Sequence, residues 1–407
     1  MQAAFQTDSR ASWLRLLVAV MISAVGGVGM WSVVVALPAV QDEFGVARAG
    51  ASLPYTLAMI GFAFGGVLAG RLADRFGVVV PAIGGAILLG VGYLAAGLSG
   101  SLTGFALAHG LLIGLGSSAT FAPLIADISH WFVRRRGAAV AICASGNYLA
   151  GTVWPGIVQA AITAHGWRAT HIGIGIACVV LMVPLALLLR RRAPLGQQTA
   201  AQAAASGAQS RLGLTPASLQ GLLVVAGIAC CVAMAMPQVH IVAYCADLGY
   251  GTARGAEMLS LMLGFGIVSR VASGWIADRI GGLSTLLLGS FLQGVALLLY
   301  LLFDGLASLY VISALFGLFQ GGIVPSYALI IRDFFSPAEA GARVGLVIMA
   351  TLFGMAFGGW MSGAIFDLTG SYQAAFLHGM GWNLLNVAIV GWLIVRAGGV
   401  GLRPREA

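Results

Sequence analysis

An all-α membrane protein, with 12 transmembrane helices in two pseudo-symmetric six-helix bundles, is the fold this sequence predicts, on three observations. Hydrophobic residues make up 59% of the 407 positions and charged residues only 8%, and mean hydropathy is +0.97. Soluble globular domains do not carry so little charge. Apolar stretches recur evenly, roughly 34 residues per unit, which suits a span of about 20 residues plus a short connection. Finally, Gly70-Arg-Leu-Ala-Asp74-Arg-Phe-Gly77 returns half a chain later as Gly274-Trp-Ile-Ala-Asp278-Arg-Ile-Gly281. Pro123 and Pro325 repeat at nearly the same offset, each in the fourth span of its half.

The first span, 14–37, follows Arg10 and carries Arg15 at its start. It is too long for a removed signal peptide and lacks a small-residue cleavage site. Spans at 51–72 and 79–99 flank the polar turn around Asp74 and Arg75, whose charges do not belong in hydrocarbon. The fourth, 103–126, and the fifth, 137–162, are separated by the basic run Arg134-Arg-Arg136. Span six, 169–189, stops at Arg190-Arg-Arg192, and an Ala/Gln/Ser-rich run over 197–210 reads as a flexible linker. The second half repeats the pattern at 217–241, 257–278, 283–303, 306–331, 343–366 and 374–396. The domain plan is therefore residues 1–189, a linker at 190–216, and residues 217–407. No long hydrophilic run remains for a separate soluble domain.

All 21 basic residues are arginine, and their distribution sets the topology. With both termini cytoplasmic, seventeen arginines face the cytoplasm and only Arg48, Arg168 and Arg254 face outward. A bacterial-type inner membrane is the expected location, and a monomer the expected state. Net charge +8 thus reports membrane orientation, and no nucleic-acid partner is expected. The five cysteines, Cys143, Cys178, Cys230, Cys231 and Cys245, lack the spacing of a metal site or disulfide framework. No nucleotide loop, metal cluster or nucleophile triad is present in the sequence, so no cofactor, metal or catalytic residue is expected.

Arg270 is the residue that points to function. It lies eight residues inside Asp278, about 12 Å at 1.5 Å per residue, near the midplane of a bilayer core. Burying a guanidinium there costs at least ~2.5–3.5 kcal/mol on insertion scales. The 13 acids all fall in loops, termini or end turns on this reading, so none is an evident partner. A buried cation with no built-in carboxylate asks for an anion from outside. Two other fates compete, namely snorkelling to the surface and bonding to helix-end carbonyls.

The repeated Gly-x-x-Ala-Asp-Arg-x-Gly segment resembles the loop motif of the major facilitator superfamily, with Val78 and Val79 where basic residues are usual. The resemblance implies the major facilitator fold, and a cytoplasmic gate built from Gly70, Asp74, Arg75, Gly274, Asp278 and Arg279. Asp74 would cap the eleventh helix near Gly341 and Arg343, and Asp278 the fifth near Arg136 and Gly137. Three further segments resemble the monocarboxylate transporter branch and its oxalate/formate-exchanger relatives. These are Gly26-Gly-Val-Gly-Met-Trp31 without a preceding acid, Trp131-Phe-Val-Arg134-Arg-Arg136 leading to Gly146, and Arg270-x-x-x-Gly274-x-x-x-Asp278. By that resemblance Arg270 binds a substrate carboxylate. Two departures bear on coupling: Gly266 stands where relatives often carry Asp or Asn, and the chain has no lysine.

Asn147, Tyr148, Tyr327, Trp31 and Trp360 are the remaining substrate-site candidates, because polar groups in spans avoid lipid. His240 and His109 are candidate proton carriers, with helix packing as the competing role. His171, His378, Tyr300, Tyr310 and Trp392 read as interfacial. Taken together, the sequence predicts a secondary transporter of small monocarboxylates of the lactate, pyruvate or 2-hydroxy-acid type, working by alternating access with a proton as co-substrate. Organic anion exchange, efflux of small apolar compounds and a non-transporting membrane receptor are the rivals.

Overall fold

The computed structural model describes residues 7–191 and 213–397; the expected linker at 197–210 lies outside the described residues. Among these, every regular element is helical. In order they are α1 (Arg10–Phe44), α2 (Arg48–Phe76), α3 (Val79–Leu98) and α4 (Leu102–Trp131). The run Arg136–Leu188 divides at Gly166, whose φ of 78° and ψ of 161° lie outside helical space, into α5 (136–165) and α6 (167–188). The second half comprises α7 (Pro216–Asp247), α8 (Thr252–Ile280), α9 (Gly282–Leu302), α10 (Leu306–Phe334), α11 (Pro337–Thr369) and α12 (Tyr372–Arg396). The helices overrun the expected spans because hydropathy marks only the hydrocarbon layer, while backbone hydrogen bonding continues into the interface.

Each half repeats one packing plan. The first helix lies on the fifth, the second on the fourth and the third on the sixth, as α1/α5, α2/α4 and α3/α6, then α7/α11, α8/α10 and α9/α12. Small residues set these contacts. A Cβ at Gly175 of α6 would lie 2.9 Å from the Gly90 carbonyl of α3, and one at Gly354 of α11 would lie 2.6 Å from the Ile228 carbonyl of α7. Close backbone approach of this kind is how helices associate where lipid removes the hydrophobic drive. The motif's last glycine also has a conformational reason. Gly77 and Gly281 hold φ of 86° and 82° at equivalent helix ends, where a side chain would be strained.

Several helices break near mid-membrane. α1 breaks at Gly27, between Arg10–Gly26 and Val28–Phe44, and α5 breaks at Ser145. α4 carries a π-turn at His109–Gly114 and a break over 119–121 just before Pro123; α10 breaks at Gly321 and Gly322 just before Pro325. The repeated prolines thus mark the same kink in both halves, since proline has no N–H for the i−4 carbonyl.

The halves touch along α2/α11 and α5/α8. These contacts run from the face opposite the arginine-rich loops to mid-membrane. Thr56 Oγ1 donates to the Ala356 carbonyl at 3.1 Å, and Gln159 Nε2 donates to Thr252 Oγ1 at 2.9 Å. Toward the arginine-rich face the halves diverge, and Cβ positions at Gly70, Gly137, Gly274, Gly341 and Gly345 meet nothing within 4 Å. The cavity between the bundles therefore opens to the arginine-rich face.

Two expected interfacial residues belong to the core instead. Tyr300 is 2% exposed, bonds Ser313 Oγ at 2.8 Å and stacks on Phe376. His171 is fully buried among Tyr93, Phe105, His109 and Trp167. Their helix faces turn inward, which span position alone does not reveal.

Candidate functional site

Arg270 projects from α8 across the inter-bundle space to α5. Its Nη1 donates to the Ala144 carbonyl at 2.9 Å, and its Nε to the Gly321 carbonyl of α10 at 3.4 Å. Both acceptors exist because helices are interrupted there. Ala144 is the last residue of the helix Arg136–Ala144, so its carbonyl lies beyond that helix's own ladder. The Gly321 carbonyl would ordinarily accept from residue 325, which is Pro325 and has no N–H. Helix ends with free carbonyls carry partial negative charge and so favour a cation. The helix-end bonding considered from the sequence is therefore present.

These bonds leave the guanidinium underused. It has five N–H donors and uses two, and no carboxylate among the described residues lies within ion-pair distance. One face is covered by Tyr148 of α5, whose ring centroid is 4.3 Å from Cζ, a cation–π contact. Arg270 is only partly buried, so its remaining donors are reachable from the cavity.

Gly266, one turn before Arg270, makes this arrangement possible. A Cβ at Gly266 would overlap the Tyr148 ring. The aromatic ring thus fills the space where an acidic side chain would otherwise stand beside the arginine. Asn147 and Trp31 adjoin the same region. Trp31 Nε1 donates to the Asn147 carbonyl at 3.4 Å, while the Asn147 amide donates to Met30 Sδ and its buried Oδ1 has no partner.

Tyr327 and Trp360 lie elsewhere. Tyr327 is fully buried inside the second bundle, where its hydroxyl donates to Asn386 Oδ1 at 3.2 Å and Asn386 in turn bonds Ser290 Oγ. Trp360 is 38% exposed beside Phe357, which packs against His378 and Trp382 of α12, on the outer side of α11. Neither makes a contact with Arg270.

His109 is sealed inside the first bundle, its Nδ1–H donating to the Phe105 carbonyl at 2.9 Å. His240 is also fully buried, at the closed face between the bundles. Its Nε2–H donates to the Gly359 carbonyl at 2.7 Å, and Nδ1 lies 3.0 Å from the Tyr372 hydroxyl.

The closed face is built on Arg48, a residue that the sequence offered only as a topology marker. From the start of α2 it donates to Asp247 Oδ1 at 3.0 Å and to the Tyr372 hydroxyl at 2.9 Å, both in the other half. Asp367 at the end of α11 caps α2 in return, accepting from the Arg48 and Ala49 amides at 2.7 and 2.8 Å. At the arginine-rich face the motif residues are apart: Asp74 and Asp278 are exposed, and neither reaches α11 or α5. Arg75 lies over Phe76, Arg279 over Trp275, and Arg343 pairs with Glu339. A second missed pair, Arg15 with Asp127 at 2.7 Å, locks α1 to α4 within the first bundle. Its acid lies within the last turns of a span, where charge is ordinary, so the sequence carries little signal.

The family profile of the Major Facilitator Superfamily matches residues 19–308 and 274–407. Monocarboxylate transporter 13 of Bos taurus is 30% identical over 329 residues, covering 79% of this chain and 75% of the relative. The MFS-type transporter pynF of Aspergillus niger is 25% identical, covering 80% and 74%. Among solved structures, an inward-facing, occupied bacterial homologue of the lysosomal transporter Spinster superposes with a TM-score of 0.71 at 14% identity, covering 96% of both chains. The nucleoside transporter NupG superposes with a TM-score of 0.72 at 13% identity, covering 94% of this chain and 99% of that one. These two show the fold alone.

Proposed function

Because the chain belongs to the major facilitator superfamily, as an integral membrane transporter and not an enzyme, we propose that its cargo is a small monocarboxylate of the lactate, pyruvate or 2-hydroxy-acid type. The observation that carries this reading is Arg270: a cation between the halves, held only by carbonyls and a ring, with donors to spare. A carboxylate would take the free edge of the guanidinium in bidentate geometry, roughly twice as strong as a neutral hydrogen bond. Tyr148 would hold the fork flat, and Trp31 and Asn147 would form the wall and the polar contact beyond it. One cation suits one carboxylate.

The orientation follows from charge: among the described residues thirteen arginines lie on the face where α1 begins and α12 ends, and the positive-inside rule makes that face cytoplasmic, so the cavity opens inward. The name of the bovine relative supports the same substrate class. Coupling follows from the absence of an acid beside Arg270. A proton then enters with the substrate, as the neutral acid or alongside the anion. Exchange is the second reading, favoured by the same observation, because an empty site leaves the guanidinium without its anion during the return step.

Proteoliposome uptake of radiolabelled lactate and pyruvate tests the proposal. Uptake should be saturable and driven by an inward proton gradient, and dicarboxylates should compete poorly. Counterflow without gradient-driven net uptake would select exchange. No transport of any monocarboxylate in either mode would end the reading.

A further inference from the structure

The gate at the closed face is wired in a way that favours one protonation state of His240. Gly359 offers only a carbonyl, so His240 Nε2 must carry the proton that it donates there at 2.7 Å. Arg48 Nη1 donates to the Tyr372 oxygen at 2.9 Å, and the Tyr372 hydroxyl proton then points to His240 Nδ1 at 3.0 Å. Nδ1 must therefore be the acceptor. Charge runs in one direction, from the α2 guanidinium through a phenol and an imidazole to an α11 carbonyl. Both halves contribute: Arg48 from the first, Tyr372, His240 and Gly359 from the second.

We propose that His240 is a proton-binding sensor of the outer gate, and that the gate closes only when this imidazole is neutral. A proton on Nδ1 removes the acceptor and sets one donor against another. Tyr372 would then have to turn its own proton away inside a fully buried pocket, at the cost of an unsatisfied group. The surrounding charges offset this only in part. Arg48 of α2, held on Tyr372, repels an imidazolium, and Asp247 at the end of α7 is paired with Arg48; Asp367 of α11, held by the amides of α2, attracts it, but burial outweighs that single attraction. Tyr55 of α2, packed against Gly359, and Tyr244 of α7, packed on Tyr372, are neutral phenols.

The sign follows. When the gate opens, Arg48 leaves with the first bundle, Tyr372 loses its donor, and His240 faces the outer medium free to bind a proton. Acid outside therefore favours the outward-open state, by up to about tenfold per pH unit for a single linked proton. This role differs from carrying the transported proton, because in the closed state His240 is sealed from the inward cavity. It concerns the gate and stands whatever the substrate.

The test uses substrate-free full-length protein in nanodiscs with spin labels at Gly100→Cys and Asp304→Cys, exposed outer positions on opposite halves, read by electron–electron distance measurements from pH 7.5 to 5.0. The expected result is a long-distance population that grows as pH falls. His240→Gln can donate to Gly359 and accept from Tyr372 without titrating, so it should stay closed throughout. Tyr372→Phe cuts the link between Arg48 and His240 and should be more open at pH 7.5, with a weakened pH response. A wild-type distribution indifferent to pH overturns the proposal, as does an intact response in His240→Gln or, should that variant not fold, in Tyr372→Phe.

Discussion

Arg270 was the most legible residue in the chain, since a charge deep in an apolar run violates the rule that hydrocarbon imposes on every other span position. The contacts around it were only partly legible. Tyr148 and Asn147 could be named as polar groups in a span. Their partners depend on the break at Ser145, which no single residue announces. Tyr327 and Trp360 lie away from Arg270, a placement the sequence does not carry: a helix presents several faces, and which one borders the cavity is decided by packing against other helices. Two predictions belong here. Arg270→Lys keeps the charge but loses the planar fork, and lactate uptake in proteoliposomes should fall at least about tenfold. Gly266→Ala pushes on the Tyr148 ring and should destabilise the protein by about 1–3 kcal/mol, seen as a lower thermal midpoint. Adding Tyr148→Ala should restore part of that loss, a non-additivity that independent sites do not produce.

At the scale of elements, the repeated motif and the repeated prolines gave the two-fold plan correctly, because each repeat marks a helix end or a kink. The gate at the closed face escaped notice because Arg48, Asp247 and Asp367 sit at helix ends, where charge is unremarkable and only tertiary contact gives it meaning. Arg48→Ala should raise the labelling of an outer-vestibule cysteine severalfold while leaving each bundle folded, since its bonds cross between halves. Asp74 and Asp278 make the opposite prediction. They are exposed and unengaged in this form, which is open at the arginine-rich face, so Asp74→Asn and Asp278→Asn should change thermal stability by less than about 0.5 kcal/mol. If they latch the cytoplasmic side when it closes, both variants should label more readily at Gly345→Cys in the cavity mouth; unchanged labelling would reduce the motif to a topology turn.

In the whole molecule, a closed face and an open face flank one cation. The closed face is held by Arg48, Asp247 and Asp367, the open face carries the exposed Asp74 and Asp278, and Arg270 lies between with unfilled donors. On the proposed function, an anion bound at Arg270 would neutralise the guanidinium and lower the cost of enclosing it, linking cargo to closure. The most direct test is equilibrium binding of radiolabelled lactate and pyruvate to purified protein in detergent, wild type against Arg270→Ala, with methyl lactate as the uncharged control. Saturable binding of the acids that methyl lactate does not displace, and that Arg270→Ala abolishes while keeping a wild-type fold, is the predicted result. Wild-type affinity in Arg270→Ala would contradict the account.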